Sequence, residues 1–311
     1  MEWNAVVLQQ TKPLWQVPVS VDSTASGLQL LSAMRRDPVG MKWTNLIPSE
    51  DPDQPPRDAY LEVLRVARQI AEADPKTAWL AEHLKDRSLG KPVLMIAIYG
   101  GSYGTNRKDI INALRKLEAY PDPVSWEDTK QITDILQQAS RRVFPAAFET
   151  LDWLKDLCTT AINNGATSLR WETPSGDQIQ QAEYEVDFIE VDTYGHGRMR
   201  VAVGAVNKPK TNKLKSGFAP NFVHSFDASL LKTAFQQWQK PLVTIHDCIA
   251  VLPNDMDDAQ ERIRRAMIHI CQGDPLARLA DNLKVTPKAL PRLEQGESEL
   301  NQIQSADKMF N

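Results

Sequence analysis

The chain has 311 residues, of which 42% are hydrophobic and 24% are charged, a balance that is typical of a globular protein with one large or two medium domains. It contains no run of eighteen apolar residues and no signal-peptide pattern, so we expect a cytoplasmic protein with no membrane partner. The three cysteines are widely spaced, which argues against a disulfide framework and a CxxC metal site. The net charge of −4 does not indicate nucleic-acid binding, although local basic patches can act independently of it.

The first part of the chain is predicted to form one strand followed by helices. An apolar pattern over residues 14–21 indicates a strand, and Gly27–Met34 is predicted to be helical. A loop with three prolines covers residues 51–57. The next helix is amphipathic, with apolar residues recurring from Tyr60 to Ala71, and it ends at Pro75.

Helices continue to the middle of the chain. Periodic apolar residues predict a helix over Ile110–Leu117 and a long helical stretch over Trp126–Ala161. Pro145 should break or kink that stretch, because proline removes one backbone donor and clashes with the preceding turn.

The later part of the chain combines hairpins and helices. A turn at Thr173–Asp177 joins two extended segments, and residues 183–206 read as a long β-hairpin. A helix is predicted over Asn221–Gln237, followed by a tight hairpin over residues 242–252. Asp257–Cys271 is predicted to be a surface helix with one buried face.

Two aspartates lie at the edges of predicted strands, 225 positions apart. Asp22 follows the first strand, and Asp247 lies at the tip of the tight hairpin. Small residues after Asp22 leave room for a ligand, and the backbone carbonyl of Ser23 could supply a third oxygen to a cation. Two carboxylates at strand ends can hold two Mg²⁺ ions, although a single aspartate after a strand is as typical of a turn or a cap.

A segment between the aspartates carries basic and aromatic residues at a spacing of four. Arg87, Lys91, Met95 and Tyr99 would share one helix face, where the cations suit phosphates and the aromatic ring suits a base. Gly100 would let a backbone or a template base come close. An ordinary amphipathic helix with solvated cations would show the same spacing.

A proline complicates this helix. Pro92 cannot donate a backbone hydrogen bond to Ser88. Since proline is favoured in the first turn, the pattern favours a helix that begins near Pro92, with Arg87 on a loop or an offset turn.

The motif His246-Asp247-Cys248 has a second interpretation, in which Cys248 is a nucleophile. Adjacent residues of a tight hairpin point to opposite faces, and no oxyanion-hole glycine is near in the sequence. A metal-binding Asp247 that acts with Asp22 therefore explains more, and the combination favours nucleotidyl transfer.

Five blocks of the chain, taken together and in order, resemble the bacteriophage-type single-subunit DNA-dependent RNA polymerases, which are relatives of the mitochondrial enzyme. These blocks extend over nearly the whole chain and are Asp22–Gln29, Asn45–Glu50, Arg87–Gly100, Ala219–Ser225 and His246–Cys248.

The resemblance implies an α+β fold, the right-hand polymerase palm and fingers, with mostly helical fingers and a small antiparallel palm sheet. Residues 1–38 would form the first part of the palm, and residues 225–311 its second part with the C-terminal segment. Residues 39–224 would form the fingers, in which the hairpin at 183–206 takes the place of the family's promoter-specificity loop.

The resemblance also implies roles for the candidate site residues. Asp22, Asp247 and the carbonyl of Ser23 would bind two Mg²⁺ ions. Lys91 would contact the triphosphate and could protonate the leaving group, and Arg87 would assist with its charge.

Sugar recognition is implied for a second group. Tyr99 would lie at the base and sugar and help to select ribose, and His224 would lie near the 2′-hydroxyl. Without the resemblance, His224 is equally well a structural histidine. Gly27 and Met95 stand where related DNA polymerases carry a glutamate and a bulky aromatic residue, which favours ribonucleotides.

The resemblance begins just before Asp22, and the twenty-one preceding residues cannot hold the family's N-terminal domain and thumb. We therefore expect the catalytic half of an RNA polymerase, completed by a second polypeptide and acting on a DNA template, nascent RNA and ribonucleoside triphosphates. A cleaved or engineered fragment is the alternative to such a natural two-chain enzyme. The alternatives are a DNA polymerase or primase-like relative and a non-catalytic nucleic-acid-binding fragment.

Overall fold

The computed structural model describes residues 17–51, 53–99, 103–117, 120, 125–195 and 197–310. This part of the chain combines many helices with small antiparallel sheets. The helices are α1 Ser26–Arg35, α2 Pro38–Trp43, α3 Ala59–Ala73, α4 Arg87–Ile98, α5 Tyr103–Leu114, α6 Trp126–Val143, α7 Pro145–Asn163, α8 Thr211–Phe235, α9 Met256–Cys271 and α10 Pro275–Asn282. The strands are β1 Val19–Val21, β2 Leu169–Glu172, β3 Gln178–Gln181, β4 Tyr184–Thr193, β5 Gly197–Pro209, β6 Leu242–Ile245 and β7 Cys248–Val251.

A three-stranded antiparallel sheet pairs a strand near the beginning of the chain with the hairpin β6–β7 near its end. Its strand order is β1-β7-β6, with Val21 opposite Ile249 and Ile245 opposite Cys248. The short β6–β7 connection confirms the predicted tight hairpin. Because β1 and β7 are antiparallel, the last residue of β1 and the first residue of β7 lie side by side, at the edge of the sheet where these strands end and begin.

Helix α1 lies at the centre of the core, and all its residues are buried. It packs against α7, α8 and α9, so its polar residues are buried along with its apolar ones and need partners inside the protein. Its one buried amide, Gln29, donates hydrogen bonds to the hydroxyl of Thr24 and to the carbonyls of Thr44 and Met309. These bonds remove the cost of burying a polar group and attach the C-terminal segment to the core.

Several predicted elements are confirmed. Helix α3 covers the predicted amphipathic stretch, and the carboxylate of Asp58 caps it by accepting from the N–H groups of Tyr60 and Leu61. The predicted break at Pro145 separates α6 from α7, which begins with that proline. Both hairpins and helix α9 also form where the sequence predicts them.

The expected beginning of α4 near Pro92 is wrong. The helix begins at Arg87, and the carboxylate of Asp86 caps it by accepting from the N–H of Ser88. Pro92 lies inside the helix and costs one backbone hydrogen bond. Burial of Leu89 and Val93 on the same helix offsets that loss.

Three other boundaries differ from prediction. Helix α8 begins at Thr211, ten residues before the predicted Asn221, because Leu214 and Phe218 extend its buried face in spite of an internal Pro220. Helix α5 begins and ends earlier than the predicted Ile110–Leu117. Strand β1 is shorter than predicted, and residues 14–16 of that prediction lie outside the described residues.

No described residue of the long hairpin β4–β5 belongs to the hydrophobic core. In the described part of the chain, no helix is both long and apolar enough to cross a membrane.

Candidate active site

The two aspartates from distant parts of the sequence lie at one edge of the three-stranded sheet. Asp22 follows β1 directly, and Asp247 precedes β7 directly. Continuing the β1–β7 register by one residue would place Asp22 opposite Cys248, the neighbour of Asp247. His246, the other residue of the hairpin turn, has a φ of 55°, a left-handed conformation that is uncommon outside glycine and that the tight turn enforces.

The electrostatics of Asp22 reflect this convergence. Burial raises the pKa of Asp22, and the charge of Asp247 raises it further, while the N–H of Ser23 and the charge of Lys91 lower it. Two carboxylates that repel each other create a place where a divalent cation is favoured. Among the described residues, no cluster of three or more His, Cys, Asp and Glu side chains forms a metal site, so phosphate oxygens, water and backbone carbonyls would have to complete the coordination of such a cation.

A cavity of about 330 Å³ connects Asp22 to the basic residues of α4. Arg87 and Lys91 line it from α4, and Arg57 lines it from the loop before α3. Asp58 also lines the cavity and pairs with Arg87. Three cations around the carboxylate of Asp22 still suit a polyphosphate that is bound with Mg²⁺. The structure thus brings together Asp22, Arg87 and Lys91, as the sequence predicts, and adds Arg57.

Arg87 is held in place by α3. Its guanidinium Nε donates to Asp58 Oδ2 at 2.6 Å, and the group lies over the ring of Tyr60, 4.6 Å from the centroid. The Tyr60 hydroxyl in turn donates to the sulfur of Met95 at 3.4 Å. Burial raises the pKa of Tyr60 to about 12 against the opposing charge of Arg87, and Asp58, Asp247 and Asp22 add to the rise, so Tyr60 stays neutral beside the carboxylates.

Tyr99, at the C-terminal end of α4, is attached to the beginning of α1. Its hydroxyl lies 2.8 Å from the Ser26 hydroxyl and accepts a hydrogen bond from the N–H of Gly27 at 3.0 Å. A Cβ at Gly27 would lie 2.6 Å from Ile98 Cγ2 and 2.8 Å from the Tyr99 hydroxyl. The small residue at position 27 is therefore needed for the close approach of Tyr99.

His224 covers the other side of Tyr99. The two rings stack with centroids 4.8 Å apart and an interplanar angle of 19°. Burial lowers the pKa of His224, and the nearby His246 lowers it further, so the imidazole is favoured in its neutral form. Only the part of His224 that faces Tyr99 is covered, and the rest of its side chain is exposed to solvent.

The structure does not support Cys248 as a nucleophile. Burial raises the pKa of the Cys248 thiol, and the charges of Asp22 and Asp247 raise it further. The thiolate is therefore disfavoured beside the aspartates.

Besides Arg57, sequence reasoning did not find four residues of this region. Asp58 and Tyr60 follow the proline-rich loop, Ser26 lies in the small-residue stretch after Asp22, and Asp227 lies one helical turn after His224. The spacing of Asp227 from His224 is the one signal that could have found it, because residues three apart share a helix face. Gly100, a predicted substrate-binding residue, lies outside the described residues.

Comparison with known proteins identifies the class. A family model described as DNA-dependent RNA polymerase matches residues 1–310. The chain therefore belongs to this family, whose members similar to it include phage and mitochondrial single-subunit enzymes, and the predicted resemblance is confirmed.

Individual relatives support this assignment. The chain is 27% identical over 319 residues to the mitochondrial DNA-directed RNA polymerase of Homo sapiens. This alignment covers 95% of this chain and 26% of that protein. It is 27% identical over 285 residues to the DNA-directed RNA polymerase of Pseudomonas phage phiKMV, covering 86% of this chain and 34% of that protein. DNA-directed RNA polymerase 2A of Nicotiana tabacum is 24% identical over 308 residues, covering 95% of this chain and 92% of that protein. The chain thus spans about a quarter to a third of the length of most of these relatives.

Proposed function

We propose that this chain is the catalytic part of a DNA-directed RNA polymerase, which extends nascent RNA on a DNA template by nucleotidyl transfer from ribonucleoside triphosphates. The observation that carries the proposal is the meeting of Asp22 and Asp247 at one sheet edge, beside a cavity lined by Arg87 and Lys91.

The two aspartates would bind two Mg²⁺ ions, with the carbonyl of Ser23 as a further ligand. The donor set fits, because hard oxygen ligands suit Mg²⁺ and because the mutual repulsion that raises the pKa of Asp22 would be relieved by a cation. Bound Mg²⁺ would activate the RNA 3′-hydroxyl and neutralise charge on the triphosphate and the leaving pyrophosphate.

The basic residues of the cavity would hold the triphosphate. Lys91 and Arg57 would contact phosphate oxygens, and Lys91 would supply a proton to the leaving pyrophosphate. Arg87 would add its charge from a fixed position, because Asp58 and the Tyr60 ring hold its guanidinium.

Recognition of the sugar would fall to Tyr99, with His224 stacked on it near the 2′-hydroxyl. Gly27 would serve this recognition by letting the Tyr99 hydroxyl reach its backbone N–H. Met95 would line the nucleotide site beside Tyr60, and Gly100 would allow the template base to come close.

In this assignment the sheet and its flanking segments, 1–38 and 225–311, are the palm of a right-hand polymerase. Residues 39–224 are the fingers and carry α4 and the hairpin. The mainly helical composition of the segment between β1 and β2 supports the division.

A second polypeptide would supply the N-terminal and thumb parts. Val243 and Ile245 lie two residues apart on β6, so they share one face of the sheet, and they are 52% and 64% exposed. Apolar side chains exposed next to the aspartates favour a covering partner or nucleic acid.

The test of the function is primer extension. The protein, purified with the chains that accompany it from its native source, should extend an RNA primer on a DNA template with ribonucleotides and Mg²⁺. Asp247→Asn should lower elongation by several orders of magnitude while leaving template binding nearly unchanged. Asp156→Asn, an exposed aspartate of α7, is the matched control and should keep full activity.

Metal binding can be measured separately with Mn²⁺ and electron paramagnetic resonance. Asp22→Asn and Asp247→Asn should each weaken Mn²⁺ binding at least tenfold, whereas Asp156→Asn should not. Unchanged Mn²⁺ binding in both site variants would contradict the metal role. Preference for deoxynucleotides by the unmodified protein would instead support a DNA polymerase.

A further inference from the structure

The block Asn45–Glu50 is one of the five that carry the family resemblance, and none of the roles assigned above uses it. Its first residue, Asn45, lies two residues after the end of α2 and is 2% exposed. Asn45 has a φ of 58°, a left-handed conformation that asparagine adopts more readily than most residues other than glycine. A buried asparagine in this conformation needs partners for both ends of its amide.

Both ends of the Asn45 amide are bonded to the backbone of Arg57. The Nδ2 atom donates to the Arg57 carbonyl, and the Oδ1 atom accepts from the Arg57 N–H, each at 2.9 Å. One planar side chain thus holds both backbone groups of a single residue twelve positions away. Arg57 follows Pro55 and Pro56, whose rings restrict the backbone that leads into it, so little conformational freedom remains at this end of the loop.

Asn45 is also connected to the segment of Asp22. The carbonyl of the preceding residue, Thr44, accepts a hydrogen bond from the hydroxyl of Thr24 at 2.9 Å. Thr24 lies two residues after Asp22, on the segment that enters α1. Two sets of hydrogen bonds and one peptide bond therefore connect the Asp22 segment to the backbone of Arg57.

The side chain of Arg57 lines the cavity beside Asp22. Its guanidinium donates to two backbone carbonyls, those of Lys42 and Pro48, at 3.4 Å each. These distances are long for N–H···O bonds, and a phosphate oxygen forms shorter, charge-assisted bonds to a guanidinium. The charge of Arg57 is thus available to an anionic ligand, and its place is set mainly through the backbone.

We propose that Asn45 is a positioning residue, which holds Arg57 beside Asp22 through the backbone of Arg57 and so raises the affinity of the cavity for a ribonucleoside triphosphate. This inference rests on the proposed polymerase function. Asn45 acts through Arg57 and needs no contact with the substrate.

Asn45→Gly removes the amide, while glycine adopts the left-handed backbone without strain. The N–H and the carbonyl of Arg57 then lose these partners, and the guanidinium is no longer held at the cavity. The measurement is calorimetric titration of the purified polymerase, with its accompanying chains, using a non-hydrolysable ribonucleoside triphosphate and Mg²⁺. The affinity should fall about tenfold in Asn45→Gly and in Arg57→Gln, as expected for the loss of a charge-assisted hydrogen bond.

Coupling between the two residues separates positioning from general damage to the fold. If Asn45 acts through Arg57, adding Asn45→Gly to Arg57→Gln should lower the affinity by no more than about twofold. In primer extension, Asn45→Gly should raise KM for ribonucleotides about tenfold and change kcat less than about threefold, because the substitution affects binding of the triphosphate. Asn45→Ser, whose hydroxyl is too short to reach both groups of Arg57, takes the place of Asn45→Gly if the glycine variant does not fold.

Asn282 provides the matched control. Its Oδ1 atom accepts from the N–H of Glu172, and its Nδ2 atom donates to the carbonyl of Arg278, each at 2.9 Å. Asn282→Gly therefore also removes an amide that is bonded to the backbone at both ends, but Asn282 does not line the cavity beside Asp22. The triphosphate affinity and KM should stay unchanged in this variant. An equal loss in Asn282→Gly, an unchanged affinity in Asn45→Gly, or a full additional loss in the double variant would overturn the proposal.

A second measurement does not require activity. Hydrogen–deuterium exchange of the Arg57 amide can be followed by mass spectrometry of the protein without nucleotide. Pro55 and Pro56 carry no amide hydrogen, so few other amides of the same peptide contribute to the signal. Exchange should be slow in the unmodified protein and in Asn282→Gly, and at least tenfold faster in Asn45→Gly.

The two measurements separate the possible failures. If the unmodified protein binds no triphosphate and extends no primer, the polymerase function fails, while faster exchange in Asn45→Gly still supports the contact between Asn45 and Arg57. If binding and extension are normal but neither the exchange nor the affinity changes in Asn45→Gly, the positioning role is overturned and the polymerase function stands.

Discussion

The ring of Tyr99 is stacked on the ring of His224, with centroids 4.8 Å apart, although the two residues lie on different helices and 125 positions apart in sequence. The stack faces Ser26 and Gly27 on one side, where the Tyr99 hydroxyl is bound. One aromatic side chain is thus held by contacts from two other segments of the chain, α1 and α8. Such fixation is what a residue that discriminates between sugars requires, because discrimination depends on geometry that does not relax.

The His224 side of this stack can be tested by two substitutions. His224→Ala should loosen Tyr99 and lower the ribonucleotide preference, since it removes the stacked ring, which contributes about 0.5–1.5 kcal/mol. His224→Phe should keep the position of Tyr99 but lose any hydrogen bond to the sugar. Steady-state kinetics with both sugars will separate the two contributions; equal values for both variants and the unmodified enzyme would contradict a role for His224.

Gly27→Ala should destabilise the protein by about 1–3 kcal/mol, because the new methyl group overlaps Ile98 and the Tyr99 hydroxyl. This loss should exceed the gain in helix propensity of up to about 1 kcal/mol. Urea denaturation measures the change. Gly204→Ala on β5 is the control, because its methyl group would have no neighbour within 4 Å; similar losses in both variants would contradict the overlap.

Asp227 should make the stability of the chain depend on pH. Its pKa is about 7 in the folded state, raised from 3.8 chiefly by burial, so the folded state binds more protons than the unfolded state between these values. Stability from this group is therefore largest below about pH 4 and is lost as the pH rises toward 7. Asp227→Asn removes this dependence. Between pH 4 and pH 8, the free energy of unfolding of the variant should therefore rise by up to about 4 kcal/mol relative to that of the unmodified chain.

The measurement is urea denaturation of both proteins at several pH values without added divalent metal. Asp156→Asn, an exposed carboxyl of α7, should follow the unmodified chain. Parallel curves for Asp227→Asn and the unmodified chain would show that Asp227 does not titrate in this range.

Lys91→Gln should weaken triphosphate binding about tenfold or more, because it removes a cation that lines the cavity beside Asp22. Stability should change by less than about 0.5 kcal/mol, since Lys91 is exposed. Calorimetric titration with a non-hydrolysable ribonucleoside triphosphate measures the binding. Lys108→Gln on α5 is the control, and equal affinities in the two variants would remove Lys91 from the phosphate site.

Replacing residues 186–205 by a short glycine-serine turn should change the free energy of unfolding by less than about 1 kcal/mol, because the β4–β5 hairpin adds nothing to the core. If the hairpin acts as a specificity loop, the shortened protein should keep elongation on a primed template but lose selection among promoter sequences. Loss of elongation together with selection would contradict that division of roles.

The structure shows which kinds of sequence signal were sufficient to predict a helix and its boundaries. Helix α3 and the break at Pro145 were predictable because apolar periodicity and proline act locally. The beginning of α4 was not predictable from Pro92, because the cap by Asp86 and the burial of Leu89 outweigh one missing hydrogen bond.

The residues of the candidate site also fall into those that the sequence indicates and those that only the structure reveals. Lys91 and Asp22 could be predicted as candidates, because a cation and a carboxylate with these neighbours suit phosphate and metal binding. Asp58 could not, because its importance depends on Arg87, a partner from another segment.

The sequence alone determined the family, the order of the helices and hairpins, and the residue types that can bind metal and phosphate, because these depend on neighbours along the chain. Only the tertiary structure decided that β1 pairs with β7, which brings Asp22 to Asp247. It also decided that a glycine at position 27 makes room for Tyr99 rather than merely leaving a gap. The physical reason is that pairing register and side-chain packing are set by contacts between residues distant in sequence, and no local pattern records such contacts.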